Sequence, residues 1–126
     1  MNPWIVLLAA VSSFLVGGLW YSPILFGKIW NAENGSPPGD GHPAKVFSVS
    51  FGFSLVAAIC FGMLVGASPG LGPAVQTGVL AGAGLVAASF GINYQFAQRS
   101  FKLWLIDGGY HIAQFLLFGV VFGLWG

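Results

Sequence analysis

Four apolar stretches fill this chain almost from end to end, and only seven of its side chains carry a formal charge, four basic and three acidic. Soluble domains take about 25% of their residues from Asp, Glu, Lys and Arg, against 6% here. A surface so poor in charge is not made for water, so the chain belongs in a bilayer. Each crossing of the hydrocarbon takes about 20 residues, and 126 residues hold four crossings with short connections. The predicted fold is all-α, an integral membrane four-helix bundle. It forms one transmembrane domain over residues 1–126, with spans at about 4–26, 44–66, 74–97 and 101–125.

The connections follow from the helix breakers. Asn31 to Pro43 holds three prolines with Glu33 and Asp40, and is expected as the longest loop. Ser68-Pro69-Gly70-Leu71-Gly72-Pro73 is expected as a tight turn, and Gln98-Arg99-Ser100 as a second reversal. Met-Asn-Pro-Trp at the start lacks the basic region of a secretory signal, so the first apolar stretch reads as a retained span. Lys28, Lys45, Arg99 and Lys102 all fall at one face of this topology. The positive-inside rule makes that face cytoplasmic and puts both termini on the non-cytoplasmic side. Trp20, Tyr21, Trp30 and Trp104 are expected as interfacial anchors on the basic side, with Trp4 and Trp125 on the other.

Glycines recur at small-xxx-small spacing within the spans, as Gly62 with Gly66, Gly78 with Gly82, and Gly119 with Gly123. Such pairs let helix backbones approach closely, either inside the bundle or across a homo-oligomer interface. The lone Cys60 has no partner in the chain and reads as a packing residue. A faint internal echo links Gly18-Leu19-Trp20-Tyr21, followed by Lys28-Ile29-Trp30, to Gly91-Ile92-Asn93-Tyr94, followed by Lys102-Leu103-Trp104.

Asp107 is the acidic side chain set well inside a span, and His111 follows it one helical turn later. An ionisable group in hydrocarbon is costly and marks a functional site or a buried structural pair. At ~1.5 Å per residue the two lie about 9 and 15 Å deep from the basic end. Ser50 and Ser54 on the second span reach similar depths, as do Asn93 and Ser89 on the third. Each pair has i, i+4 spacing and shares a helix face. A cytoplasm-facing polar pocket is therefore expected, with Asp107, His111, Asn93, Ser50 and Ser54 as binding groups and Tyr21 and Tyr110 as walls. One reading pairs Asp107 with His111, raising the imidazole's readiness to take up a proton. The other ties Asp107 to Arg99, Lys102 or Lys28 as a structural ion pair.

Other classes find less support. Without a basic tract there is nothing to neutralise nucleic-acid phosphates. With one cysteine and two histidines, one of them His42 in the first loop, no metal centre or cofactor site is expected. Ser50 or Ser54 beside an Asp and a His would make a hydrolase-like set only by a coincidence of facing, so no catalytic residue is assigned.

Gly18-Leu19-Trp20-Tyr21-Ser22-Pro23-Ile24-Leu25-Phe26-Gly27-Lys28-Ile29-Trp30 and Trp104-Leu105-Ile106-Asp107-Gly108-Gly109-Tyr110-His111 resemble the DUF1761 family of small prokaryotic membrane proteins. The resemblance covers essentially the full length and implies four spans in a prokaryotic cytoplasmic membrane, with no assigned activity. The expected role is binding or translocation of a small solute, ion or lipid, by a homo-oligomer among membrane lipids. An accessory or scaffold subunit of a larger membrane complex, with a purely structural Asp107, is the alternative. A membrane enzyme acting on a lipid-soluble substrate is the third.

Overall fold

The computed structural model describes residues 1–35 and 43–126. Helix α1 runs Pro3–Trp20, with the Asn2 side chain accepting from the Trp4 amide at 2.9 Å and proline at its first position. A short helix α2 covers Gly27–Asn34, and α3 covers Pro43–Val65. Helix α4 spans Leu71–Phe96, and α5 spans Phe101–Trp125, capped by Ser100, whose hydroxyl accepts from the Leu103 amide at 3.0 Å. Four of these, all but α2, are long and apolar enough to cross a membrane.

Three boundaries differ from expectation. The first span stops at Trp20 and does not run on to Phe26, because Pro23 cannot continue the helix. The chain instead winds through a compact turn in which the Ser22 carbonyl accepts from the amides of Leu25 and Gly27. Asn31 to Asn34, expected as loop, are the last turns of α2, which closes on Gly35 in the left-handed region. The remainder of the expected loop, with Asp40 and His42, lies outside the described residues. The third span starts at Leu71 rather than Ala74, since Pro73 is tolerated in a first helical turn.

Helix α5 is the hub. It packs along α1 and along the full length of α4, whereas α3 leans chiefly on α1 and touches α4 and α5 sparsely. At the end carrying Met1 and Gly126, an apolar core of Val6, Ala10, Phe61, Phe118 and Phe122 closes the bundle. Towards the basic end, α3 and α4 leave a gap between them.

The α4–α5 contact explains most of the glycine spacing. A Cβ on Gly119 would meet the Ala74 carbonyl oxygen at 2.6 Å and Val75 Cα at 2.9 Å, and one on Gly123 would meet Leu71 Cα at 2.7 Å. Gly78 faces the Phe115 carbonyl in the same way, and Gly82 faces the His111 carbonyl at 3.0 Å. These pairs are used within the chain, backbone against backbone. Gly66 is the exception: it ends α3 at φ 74° with nothing near its missing side chain, so it serves the turn and not a helix contact. Gly119→Val should lower stability in detergent by about 1–3 kcal/mol or more through overpacking. Gly52→Val, where nothing lies within 4 Å, should stay within about 0.5 kcal/mol; equal melting shifts for the two would contradict the close contact.

Helix α4 also contains a π-helical segment, Leu80–Ala87, which adds a residue to its turn. Its inward residues run Ala74, Gly78, Ala81 and Gly82, then jump to Ala87, Phe90 and Tyr94. An unbroken 3.6-residue count from Gly82 would instead turn Leu85, Ser89, Asn93 and Phe96 inward, and all four are exposed. The expected inward Asn93 therefore points out of the bundle, and Tyr94 takes the place assigned to it.

Candidate functional site

Asp107 is buried on the inner face of α5 and accepts hydrogen bonds from three other elements. The Tyr21 hydroxyl, just past the end of α1, donates to Oδ1 at 2.5 Å, and the Trp30 indole of α2 donates to the same oxygen at 3.0 Å. The Tyr94 hydroxyl of α4 donates to Oδ2. One carboxyl group thus joins α1, α2, α4 and α5.

Neither expected partner of Asp107 is the observed one. Among the described residues no cation reaches it. Arg99 turns to the end of α2, where it donates to the Asn34 carbonyl and side-chain oxygen. Lys102 lies 3.8 Å from Glu33, in a pair too exposed to contribute much, and Lys28 is exposed. Helix α2 draws these cations because its free C-terminal carbonyls and Glu33 face them, while neutral phenols and an indole satisfy the carboxyl oxygens. Nor does His111 bond to Asp107. Its Nδ1 sits 2.7 Å from the Gln114 side-chain oxygen, a partner three residues on that shares its helix face.

The tryptophans expected as interfacial anchors on the basic side work inside the protein. The Trp20 indole donates to the Ile106 carbonyl at 2.9 Å, and the Trp104 indole to the Ala87 carbonyl at 2.8 Å. Ala87 ends the π segment, where the change of hydrogen-bond period leaves a carbonyl for an outside donor. Trp4 and Trp125 at the other end are exposed, as an interfacial belt requires. The internal echo has a physical counterpart in Tyr21 and Tyr94, which clasp opposite oxygens of Asp107 from either side of α5.

Glycines let these pieces close. A Cβ on Gly27 would meet the Ser22 carbonyl group at 2.8 Å, one on Gly109 the Trp20 ring at 3.1 Å, and one on Gly17 the Tyr110 hydroxyl at 3.0 Å. Tyr110 in turn donates to the Ser13 carbonyl at 3.1 Å. The two motif strings, one ending α1 and the other opening α5, are halves of a single packed knot.

Beside the knot lies a cavity of about 720 Å³ between α1, α3 and α5, reaching α4 only at Val86. Tyr21 and Tyr110 stack edge to face at 5.7 Å and form part of its wall; Asp107 is not among its lining residues. Phe14, Phe47, Phe53 and Phe115 supply aromatic surface, and Ser50, Ser54, His111 and Gln114 supply polar groups. Ser54 is already engaged with Ser13 at 3.2 Å, whereas Ser50 is exposed. With Nδ1 donating to Gln114, the neutral imidazole keeps a lone pair on Nε2. Among the described residues nothing partners that nitrogen or the Gln114 amide nitrogen, and no fully buried side-chain nitrogen or oxygen lacks a partner. Neither nitrogen is therefore fully buried, and both residues line the cavity.

Of the expected binding residues, the structure gathers His111, Ser50, Ser54, Tyr21 and Tyr110 at the cavity, sets Asp107 behind it and leaves Asn93 outside. Gln114, Trp30 and Tyr94 complete the arrangement. Gln114 was detectable as the residue three places after His111, and Trp30 as the end of the first motif. Among the described residues no cluster of His, Cys, Asp and Glu suits a metal ion.

No curated protein and no solved structure matches the chain. A family model described as a protein of unknown function, DUF1761, matches residues 4–123 and so takes in both halves of the knot. The chain belongs to the DUF1761 family.

Proposed function

We propose that this protein binds a small lipid-soluble molecule in the cavity between α1, α3 and α5. The observation that carries this reading is the pairing of a mainly aromatic and aliphatic lining with two unengaged polar groups, on His111 and Gln114. A few placed polar groups in an otherwise apolar hollow of several hundred cubic ångströms are the usual form of a small-molecule site. Val46, Phe47 and Phe53 line the cavity and are more than half exposed, so the cavity opens to the side and entry is through the gap facing α4. The closed core around Phe61 and Phe118 at the far end favours binding, or release to the side of entry, over conduction through one subunit.

In this reading Asp107 shapes the site and does not touch the ligand. The knot holds Tyr21 and Tyr110 in place, and the scaffold alternative is absorbed as that part of the design. The basic end, with Lys28, Lys45, Arg99 and Lys102, is proposed to face the cytoplasm of a prokaryotic cell. Self-association, or docking into a larger complex, would use faces other than the α4–α5 glycine seam.

Gly18 lines the cavity, and nothing lies within 4 Å of where its side chain would start. Gly18→Leu should therefore fill the space without disturbing the fold. Mass spectrometry of the protein extracted with its native lipids should show a retained small molecule reduced about tenfold or more, corresponding to about 1.4 kcal/mol, with melting unchanged. An unaltered set of retained molecules would refute the cavity as the site.

A further inference from the structure

The depth of the unengaged polar groups narrows the ligand class. His111 lies ten residues into α5, about 15 Å from its start and near the middle of a hydrocarbon layer about 30 Å thick. Gln114 lies a turn deeper, and Ser50 on the opposite wall a little shallower. A phospholipid or fatty acid keeps its charged head at the interface, so one entering this cavity would present only methylenes to His111 and Gln114. Two polar groups would then be left unpaired in an apolar setting, which is unfavourable.

We propose that the ligand is a neutral, ring-bearing lipid of the quinone and quinol class, whose carbonyl or hydroxyl groups reach the midplane. This inference rests on the cavity reading above. In the quinol one ring hydroxyl would donate to Nε2 of His111 and the oxygen of the other would accept from the Gln114 amide nitrogen, both on one helix face, whereas the quinone carbonyls can only accept. The Ser50 hydroxyl, which donates or accepts, faces the far edge of the ring. The rings of Phe14, Phe47, Phe115 and Tyr110 offer faces and edges for a flat partner. His111 itself is held between Phe90 at 4.9 Å and Tyr110 at 5.0 Å, which fixes the direction in which Nε2 is presented. The long tail of such a lipid would leave through the side gap towards the bilayer.

The test is calorimetric titration of the full chain in detergent with a decyl-substituted benzoquinone, with its quinol and with palmitate. The expected result is saturable binding of the quinol, weakened about tenfold or more in His111→Phe and Gln114→Leu, with the quinone binding more weakly and indifferent to His111→Phe. Phenylalanine keeps the ring packing of His111 and leucine the approximate volume of Gln114. Should either variant fail to fold, Ser50→Ala on the exposed wall should still weaken binding about threefold or more. Palmitate binding more tightly, with an affinity indifferent to His111 and Gln114, would overturn the ring-ligand inference and leave the cavity reading standing. Failure of all three probes to bind would also overturn it, and the Gly18→Leu comparison would then decide separately whether the cavity reading falls too.

Discussion

Asp107→Ala should lower the stability of the detergent-solubilised protein by about 3–5 kcal/mol, since a buried donor left without its acceptor costs about 1–3 kcal/mol. The size follows from how much one carboxyl group holds. Tyr21, Trp30 and Tyr94 all donate to it from separate elements, so alanine leaves three donors without their acceptor at once. Hydrogen bonds to a charged group contribute about 1.5–3 kcal/mol each, though partial rehydration at half-buried sites keeps the three from adding. Asp107→Asn should lose only about 1 kcal/mol. Its oxygen still serves Tyr21 and Trp30, and its amide donates to the Tyr94 hydroxyl, which can accept. Chemical or thermal unfolding of both variants checks the pair. An ion-paired aspartate would instead make asparagine nearly as damaging as alanine, since either change strands a cation.

Insertion of one alanine after Gly84 is expected to cost about 3 kcal/mol or more, although no side chain is lost and the site is exposed. One residue added to the π segment shifts the facing of everything beyond it by one position, turning Asn93 inward and carrying Tyr94 off Asp107. Ala87 would leave the Trp104 indole at the same stroke. The loss therefore combines two hydrogen bonds with the packing of Phe90 on His111. Gly84→Ala, which keeps the count, should fall within about 0.5 kcal/mol of the parent. If insertion and substitution proved equally mild, the π segment would not set the facing of α4.

That segment marks the limit of what the residues alone disclosed. The four spans were legible because hydrocarbon imposes length and composition directly, and Asp107 stood out because a carboxyl group in a span is rare. Asn93 was misplaced because periodicity assumes 3.6 residues per turn, and nothing in Leu80–Ala87 announces a wider one. The partners of Asp107 were misjudged for a different reason. Charge pairing can be guessed from sequence, whereas Tyr21, Trp30 and Tyr94 are neutral and come together only when α1, the α2 that folds back from it, and α4 close on α5. The same fold-back turned Trp30 from an expected interfacial anchor into an internal donor, while Trp20 and Trp104 donate to carbonyls of α5 and α4. The glycine spacing was legible as close packing, and the structure adds that α4 and α5 are its owners, with Gly66 reserved for a turn.

The two motifs that carry the family resemblance have one explanation between them. Trp20, Tyr21 and Trp30 from the first meet Ile106, Asp107, Gly109 and Tyr110 from the second, through hydrogen bonds, the packing of Tyr21 on Tyr110 and a contact that a side chain on Gly109 would prevent, while Gly27 closes on its own turn at Ser22. Their product is a rigid wall of Tyr21 and Tyr110 beside His111, and the cavity is what that wall bounds.

A density map of the protein in a lipid disc, at a resolution that shows side chains, tests this account most directly. It should show the Asp107 carboxyl group between the Tyr21 and Tyr94 hydroxyls, with a bound molecule beside His111 and Gln114 and a tail leaving between α3 and α4. A carboxyl group turned to Arg99, Lys102 or Lys28, or a cavity collapsed by α3 packing onto α4, would contradict it.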